Sequence, residues 1–205
     1  GWYDMNSSIN VPTSTSSKYE VIKDAVFGTL NASFRNYLFV EGTVRRDRTS
    51  TMNPNNNACT YPSVNSSFVL SEAFELPQFI SYAKMRGSWG IVGNYPDRYA
   101  ANIAFSQTSL GNQGTTTPVL ITTSPAEYGN EGIKPEMKTE YELGFETKFF
   151  DRRLGLDFSY YNATIKDQIL NLTLAPTTGA TSILANVGEL SNKGFEVALT
   201  ASPFR

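Results

Sequence analysis

Residues 138–156 read KTEYELGFETKFFDRRLGL. Taken alternately, Lys138, Glu140, Glu142, Gly144, Glu146 and Lys148 fall on one side, and Thr139, Tyr141, Leu143, Phe145, Thr147 and Phe149 on the other. A tight turn is expected at Phe150, Asp151 and Arg152. Beyond it the alternation resumes: Leu154, Leu156, Phe158 and Tyr160 on one side, Arg153, Gly155, Asp157, Ser159 and Tyr161 on the other. Strict period-2 alternation is the mark of β-strands with one apolar and one polar face. The segment therefore predicts an antiparallel hairpin whose polar face is heavily charged and whose apolar face is aromatic.

Strand length separates the two architectures that alternate in this way. A strand of about 12 residues runs roughly 40 Å at about 3.3 Å per residue. Tilted by about 40°, it covers about 30 Å of height, the thickness of a bilayer core. Strands of soluble sandwiches usually stop at about 5–6 residues. The hairpin thus favours a transmembrane β-barrel, and a soluble secreted β-sandwich that binds glycans or acts as an adhesin is the alternative.

Working outward, further alternating segments appear at 21–34, 37–46, 62–70, 81–92 and 194–201, giving about seven strands with the hairpin. In segment 81–92, Lys84 and Arg86 share a face opposite Ala83, Met85 and Trp89. In segment 37–46, Arg45 and Glu41 lie opposite Val40 and Val44. Residues 165–174 read as an extension of the sixth strand above the membrane, and residues 71–76 as a helical turn stopped by Pro77. Connections alternate: short at 35–36, long at 47–61, medium at 71–80, long at 93–136, short at 150–152 and long near 171–193. That pattern gathers the long loops at one end of the sheet, as outer-membrane barrels do. A structureless segment as long as 93–135 is unusual inside a compact soluble domain. The fold class expected is all-β: an antiparallel transmembrane barrel segment with long extracellular loops, lumen-facing charges and a lipid-facing apolar surface.

Composition narrows the function. The 205 residues carry 17 basic and 19 acidic side chains, a net charge of −2. This balance argues against a binder of nucleic acid or of anionic membrane surfaces, which would normally show a basic patch. No apolar run approaches the length of a membrane-spanning helix, which leaves a barrel open as the way across. With no histidine and the single cysteine Cys59, ordinary zinc and haem sites and a Cys–His nucleophile are not expected. Asp47 and Asp97 lie in expected loops without an EF-hand pattern. Glu140 and Glu142, two apart on one strand face, would sit about 6–7 Å from each other. That is near a glycosidase spacing, but the flanking Lys138 and Lys148 identify a charged wall instead. No catalytic residue, metal ligand or cofactor is assigned.

Several segments resemble one family. The run from Gly87 to Asn94 (GSWGIVGN) resembles a strand end of SusC/RagA-type TonB-linked outer-membrane proteins of Bacteroidetes. Asn130 to Glu136 (NEGIKPE) is similar to that family's entry into the next strand. The stretches Glu140–Gly144, Phe149–Phe150, Arg153–Leu154, Tyr160–Tyr161 and Thr164–Ile169 follow in the family's order. Asn186–Glu189 with Asn192–Glu196 resembles its start of a later strand, and Leu38–Asp47, Tyr61–Ser63 and Ser71–Glu72 are similar to earlier ones. Together these cover most of residues 19–202.

The resemblance implies a 22-stranded barrel closed by an N-terminal plug and energised by TonB. It implies a SusD-like surface lipoprotein as lid and an oligosaccharide or peptide as substrate. Residues 1–205 would then be an internal piece of the barrel domain, without the plug or the remaining strands. On that reading Arg45, Lys84, Arg86, Glu140, Glu142 and Glu146 face the substrate path. Tyr95, Tyr99, Phe105 and Tyr128, in the extracellular loops, contact substrate or lid.

Overall fold

The computed structural model describes residues 16, 18–98, 100–103, 105–110, 119–123 and 125–202. Its strands in chain order begin with β1 (Lys23–Phe34), β2 (Leu38–Thr49), β3 (Ala58–Val69) and, after a one-turn helix α1 (Leu70–Ala73), β4 (Ile80–Asn94). Short strands β5 (Ser106–Leu110), β6 (Val119–Thr123) and β7 (Glu127–Tyr128) lie in the long connection to β8 (Glu136–Phe149). Next come β9 (Leu154–Lys166), β10 (Ile169–Thr173), β11 (Ser182–Asn186) and β12 (Glu189–Ala201).

The seven long strands form one antiparallel sheet in the order β1-β2-β3-β4-β8-β9-β12, an uninterrupted meander. The opening hairpin has the expected register: Phe145 faces Phe158, Glu146 faces Asp157, and Phe149 faces Leu154. Both expected tight turns are present. Arg35 and Asn36 adopt φ of 48° and 59°, and Tyr37 N–H donates to the Phe34 carbonyl. Positive φ at both central residues matches the right-handed twist of the strands a two-residue turn joins.

The strands are longer than the alternation showed. The 47–61 loop contracts to 50–57, because β2 runs on to Thr49 and β3 begins at Ala58. Asp47, expected in a loop, is therefore a strand residue. The seventh strand starts at Glu189 rather than at residue 194. These added ends carry polar residues on both faces, since they stand clear of the apolar band. A test for apolar alternation cannot see them. The long 93–135 connection holds the β5–β6 hairpin and β7. Residues 165–174 are not one extension of the sixth strand: Asp167 breaks the strand at φ 57°, and β10 turns aside to pair with β11. β11 pairs in parallel with β7, so β10-β11-β7 make a small separate sheet at the loop end.

One layer of sheet provides no interior. Among the described residues the buried apolar side chains are few: five alanines with Met52, Tyr61 and Ile133, of which Ile133 is at 0 % exposure. Large apolar side chains of the long strands stand exposed on the face opposite the charges, among them Phe34, Leu30, Val26, Val40, Val44, Val64, Met85, Trp89, Leu143, Leu154, Phe158, Phe195, Val197 and Leu199. Covering such a set is worth on the order of 20–40 kcal/mol at about 1.5–3 kcal/mol each. That exceeds the whole net stability of a domain, about 5–15 kcal/mol. Aromatic side chains mark the short-turn end. Phe34, Tyr37, Phe68 and Phe74 form one chain of ring contacts, and Phe79, Phe149 and Phe150 another. At the other end of the apolar band stand Trp89 and Tyr141, whose hydroxyl accepts from Asn162 Nδ2 at 2.7 Å. Two aromatic girdles bounding an apolar band are how barrels sit in a bilayer.

Candidate functional site: the charged face and the loop cap

The register of β4, β8 and β9 brings their charges together. Lys84 lies directly opposite Glu146, and its Nζ is 3.1 Å from Oε2. Glu146 also takes Lys148 Nζ at 3.2 Å on its other oxygen. Glu146 and Asp157 face each other across the β8–β9 ladder, where two like charges would repel. Each is instead supplied with its own cation, Asp157 by Arg86.

The Arg86 contact crosses an entire strand. Arg86 belongs to β4 and Asp157 to β9, with β8 between them. The guanidinium forms a fork on the carboxylate, Nη1 to Oδ2 at 3.0 Å and Nη2 to Oδ1 at 2.8 Å. Nη2 also donates to Ser159 Oγ at 2.6 Å, and Nε lies 3.6 Å from Glu142 Oε1. The side chain can lie flat across β8 because its neighbour there is Gly144. A Cβ at Gly144 would fall 2.3 Å from Arg86 Nε and 2.6 Å from its Cγ. The missing side chain is thus the channel through which the arginine reaches its partner.

The remaining expected wall residues are also paired. Arg45 Nε contacts Asp47 Oδ1 at 2.6 Å, and Lys138 pairs with Glu140. All six residues expected on the substrate path therefore lie on one face of the sheet, each with an opposite charge beside it. Exposed pairs contribute little to stability, about 0–1 kcal/mol. Their effect here is to leave a hydrated wall with its charges largely cancelled. Asp157, Ser159 and Gly144 were not singled out in the sequence, since a cross-strand contact at this range depends on register. The same face carries a shallow cup of about 490 Å³ whose lining includes Asn31, Ser33, Phe39, Glu41, Asn65 and Ser67. Glu41 there accepts from Asn65 Nδ2 at 3.2 Å.

The loop aromatics serve different contacts. Tyr95 packs at the ends of the strands, where its hydroxyl donates to the Asp47 carbonyl at 3.3 Å, and burial pushes its phenol pKa up. Tyr128 lies in β7 and donates to the Thr178 carbonyl at 3.2 Å. Phe105 is exposed. Tyr99 lies outside the described residues. Among the described residues, Tyr95 and Tyr128 are thus each tied to a different backbone carbonyl.

Two asparagines weld the loops into a cap. Asn186 accepts from Lys134 N–H at 2.7 Å and donates to the carbonyls of Lys134 and Asp167. Asn130 Nδ2 donates to the Leu184 carbonyl at 3.1 Å, and Glu136 Oε1 accepts from Ile169 N–H at 2.8 Å. The stretches around Asn130 and Asn186, prominent in the sequence, are thus the cross-loop ties that hold residues 130–136 against 167–186. Among the described residues no group of three histidine, cysteine or acidic side chains is placed to hold a metal ion.

Long strands in one antiparallel layer, charges paired on one face, a bare apolar band between aromatic girdles on the other: these define a wall segment of a transmembrane β-barrel. The chain belongs to the family described as TonB dependent receptor-like, beta-barrel, whose model matches residues 1–205. It is 28% identical over 195 residues to TonB-dependent receptor P3 of Formosa agariphila, covering 93% of this chain and 19% of that protein. It is 29% identical over 191 residues to TonB-dependent receptor SusC of Bacteroides thetaiotaomicron, covering 86% and 18%. Among solved structures, the RagAB peptide importer in its closed-closed state superposes with a TM-score of 0.79 at 20% identity, covering 89% of this chain and 20% of that one. At that identity the likeness establishes the fold. The chain spans about a fifth of the length of these relatives. A β-sandwich would need a second sheet over the apolar face, and none covers it among the described residues.

Proposed function

We propose that residues 1–205 form part of the barrel wall of an outer-membrane importer energised by TonB. A plug and further strands elsewhere in the polypeptide complete the barrel, a SusD-like surface lipoprotein covers it, and the cargo is an oligosaccharide or a peptide. The observation that carries this reading is the separation of the two faces over seven consecutive strands. Such a sheet is stable only with lipid on one side and water on the other. The edge groups of β1 and β12 must then be paired by neighbouring strands, because open edges are not tolerated in hydrocarbon. The lineage of the relatives supports uptake as the activity, and the peptide named for RagAB supports peptide as one cargo class. The lumen's Phe39, ringed by amides, hydroxyls and a carboxylate, is compatible with either cargo, since sugars and peptides both present apolar faces edged with hydrogen-bonding groups.

The test is made on the full-length polypeptide in its own host. The protein is expected in the outer-membrane fraction after urea washing. Deletion is expected to abolish growth on an oligosaccharide or a peptide supplied as sole source, with TonB depletion giving the same defect. Recovery of the protein in the soluble fraction, or growth unaffected on every tested glycan and peptide source, would overturn the proposal.

A further inference from the structure

On the outward face the apolar band ends at a definite level on each strand. Along β2 the outward side chains run Leu38, Val40, Gly42 and Val44, then Arg46 and Arg48. Along β12 they run Leu199, Val197 and Phe195, then Lys193. Following the register from Lys193 through Asn162, Tyr141, Trp89 and Val64 leads to Gly42. The changeover on β2, at Arg46, is thus four residues higher than on β12. Tilted strands crossing a flat slab require a drift of this kind. It makes Arg46 the first polar residue above the apolar band on its strand.

Arg46 and Arg48 differ in their partners. Arg48 is held by Asp24 of β1, with Nη2 3.0 Å from Oδ2 and Nε 3.1 Å from the same oxygen. Arg46 is exposed, its cross-strand neighbours are Val26 and Thr60, and among the described residues no acid pairs with it. Asp24, the acid on its neighbouring strand, is already neutralised. The result is a free guanidinium on the outer circumference, at the rim of the apolar band, on the side of the long loops.

We propose that Arg46, assisted by the Thr60 hydroxyl and the outer edge of the Arg48–Asp24 pair, binds the phosphate of an outer-leaflet lipid headgroup. The proposal rests on the reading of this face as lipid-facing. At that depth the neighbours of the barrel are lipids, and their phosphate is the anion within reach of a planar donor fork. The aliphatic stem lies along the top of the band while the head reaches the interface. Basic side chains at a membrane surface attract anionic headgroups in the same way.

The experiment uses the full-length transporter in nanodiscs with and without diphosphoryl lipid A, read by native mass spectrometry. Wild type is expected to retain lipid A. Arg46→Gln is expected to weaken retention about fivefold and Arg46→Glu further, while Arg45→Gln on the opposite face leaves it unchanged. Thr60→Val, a smaller perturbation, is expected to fall between. Retention by Arg46→Glu equal to wild type overturns the proposal. So does displacement of lipid A by millimolar inorganic phosphate, which marks a free-anion site. Heat-modifiable migration on gels confirms that each variant is folded. A wild-type protein that fails to insert in membranes refutes the parent reading. An inserted protein indifferent to Arg46 refutes this one alone.

Discussion

Gly144→Val tests the strand-spanning contact of Arg86, and its sign should depend on the arginine. Gly144 faces Arg86 in the β4–β8 register, and a Cβ there would lie 2.3 Å from Nε and 2.7 Å from Cζ. Valine must therefore expel the guanidinium from its path to Asp157. Overpacking costs about 1–3 kcal/mol. The fork on Asp157 is about a third exposed at both ends, which limits its loss to about 1 kcal/mol. Against these stands the gain of a β-branched residue over glycine in a strand, about 1 kcal/mol. The net is a destabilisation of about 1–3 kcal/mol. In an Arg86→Ala background the collision and the fork are both gone, so the same substitution should be neutral or stabilising by up to about 1 kcal/mol. The cycle is measured on the full-length protein in detergent micelles by guanidinium unfolding, with heat-modifiable migration as a second probe. An equal penalty for valine in both backgrounds would refute the clasp, since contacting residues must couple and independent ones add.

Three further outcomes follow from the same geometry. Phe145→Arg places a cation near the middle of the apolar band and should cost about 2–4 kcal/mol, whereas Ser67→Arg on the charged face should cost under about 1 kcal/mol; unfolding midpoints of the two variants compare them. Asn186→Ala removes three backbone contacts between the loops, so hydrogen exchange should accelerate in both 130–136 and 167–186 while β8 and β9 keep their protection. Exchange unchanged in 130–136 would show that the cap is not welded by this side chain. Tyr95→Phe removes the hydroxyl bonded to the Asp47 carbonyl and should cost about 0.5–1.5 kcal/mol, seen as faster exchange at the β2 end rather than as a global shift in the unfolding midpoint.

The fold was readable wherever the two faces differ in polarity. The 138–156 hairpin, its turn, the order of the long strands and the concentration of long connections at one end all follow from alternation and punctuation. Alternation failed where both faces meet water: at residues 47–49, 58–61 and 189–193, all strand, and along β10 and β11. The strand ends carry polar side chains on both sides, and β10 (ILNLT) and β11 (SILAN) are five-residue runs with neighbouring apolar residues, so neither shows a period of two. Of the wall residues, sequence correctly grouped Lys84, Arg86, Glu140, Glu142 and Glu146 on one face, because strand parity alone decides that. A charged wall with cross-strand ion pairs is the reading those residues favour, and the structure shows the pairs. Sequence could not connect Arg86 with Asp157, since that contact needs the register of three strands and the absence of a side chain at Gly144. The loop aromatics were selected by residue type, and type does not specify that Tyr95 bonds to Asp47 while Tyr128 bonds to Thr178.

The claim on which the rest depends is that one face of the sheet meets lipid and the other water. It is measured most directly by spin-label accessibility in the full-length protein in lipid bilayers, with cysteines placed one at a time along 141–147 in a Cys59→Ser background. Oxygen accessibility should peak at 141, 143 and 145, and accessibility to a water-soluble nickel complex at 142 and 146, following the two faces of β8. Flat profiles, or nickel access equal at Leu143 and Glu142, would contradict the barrel-wall account.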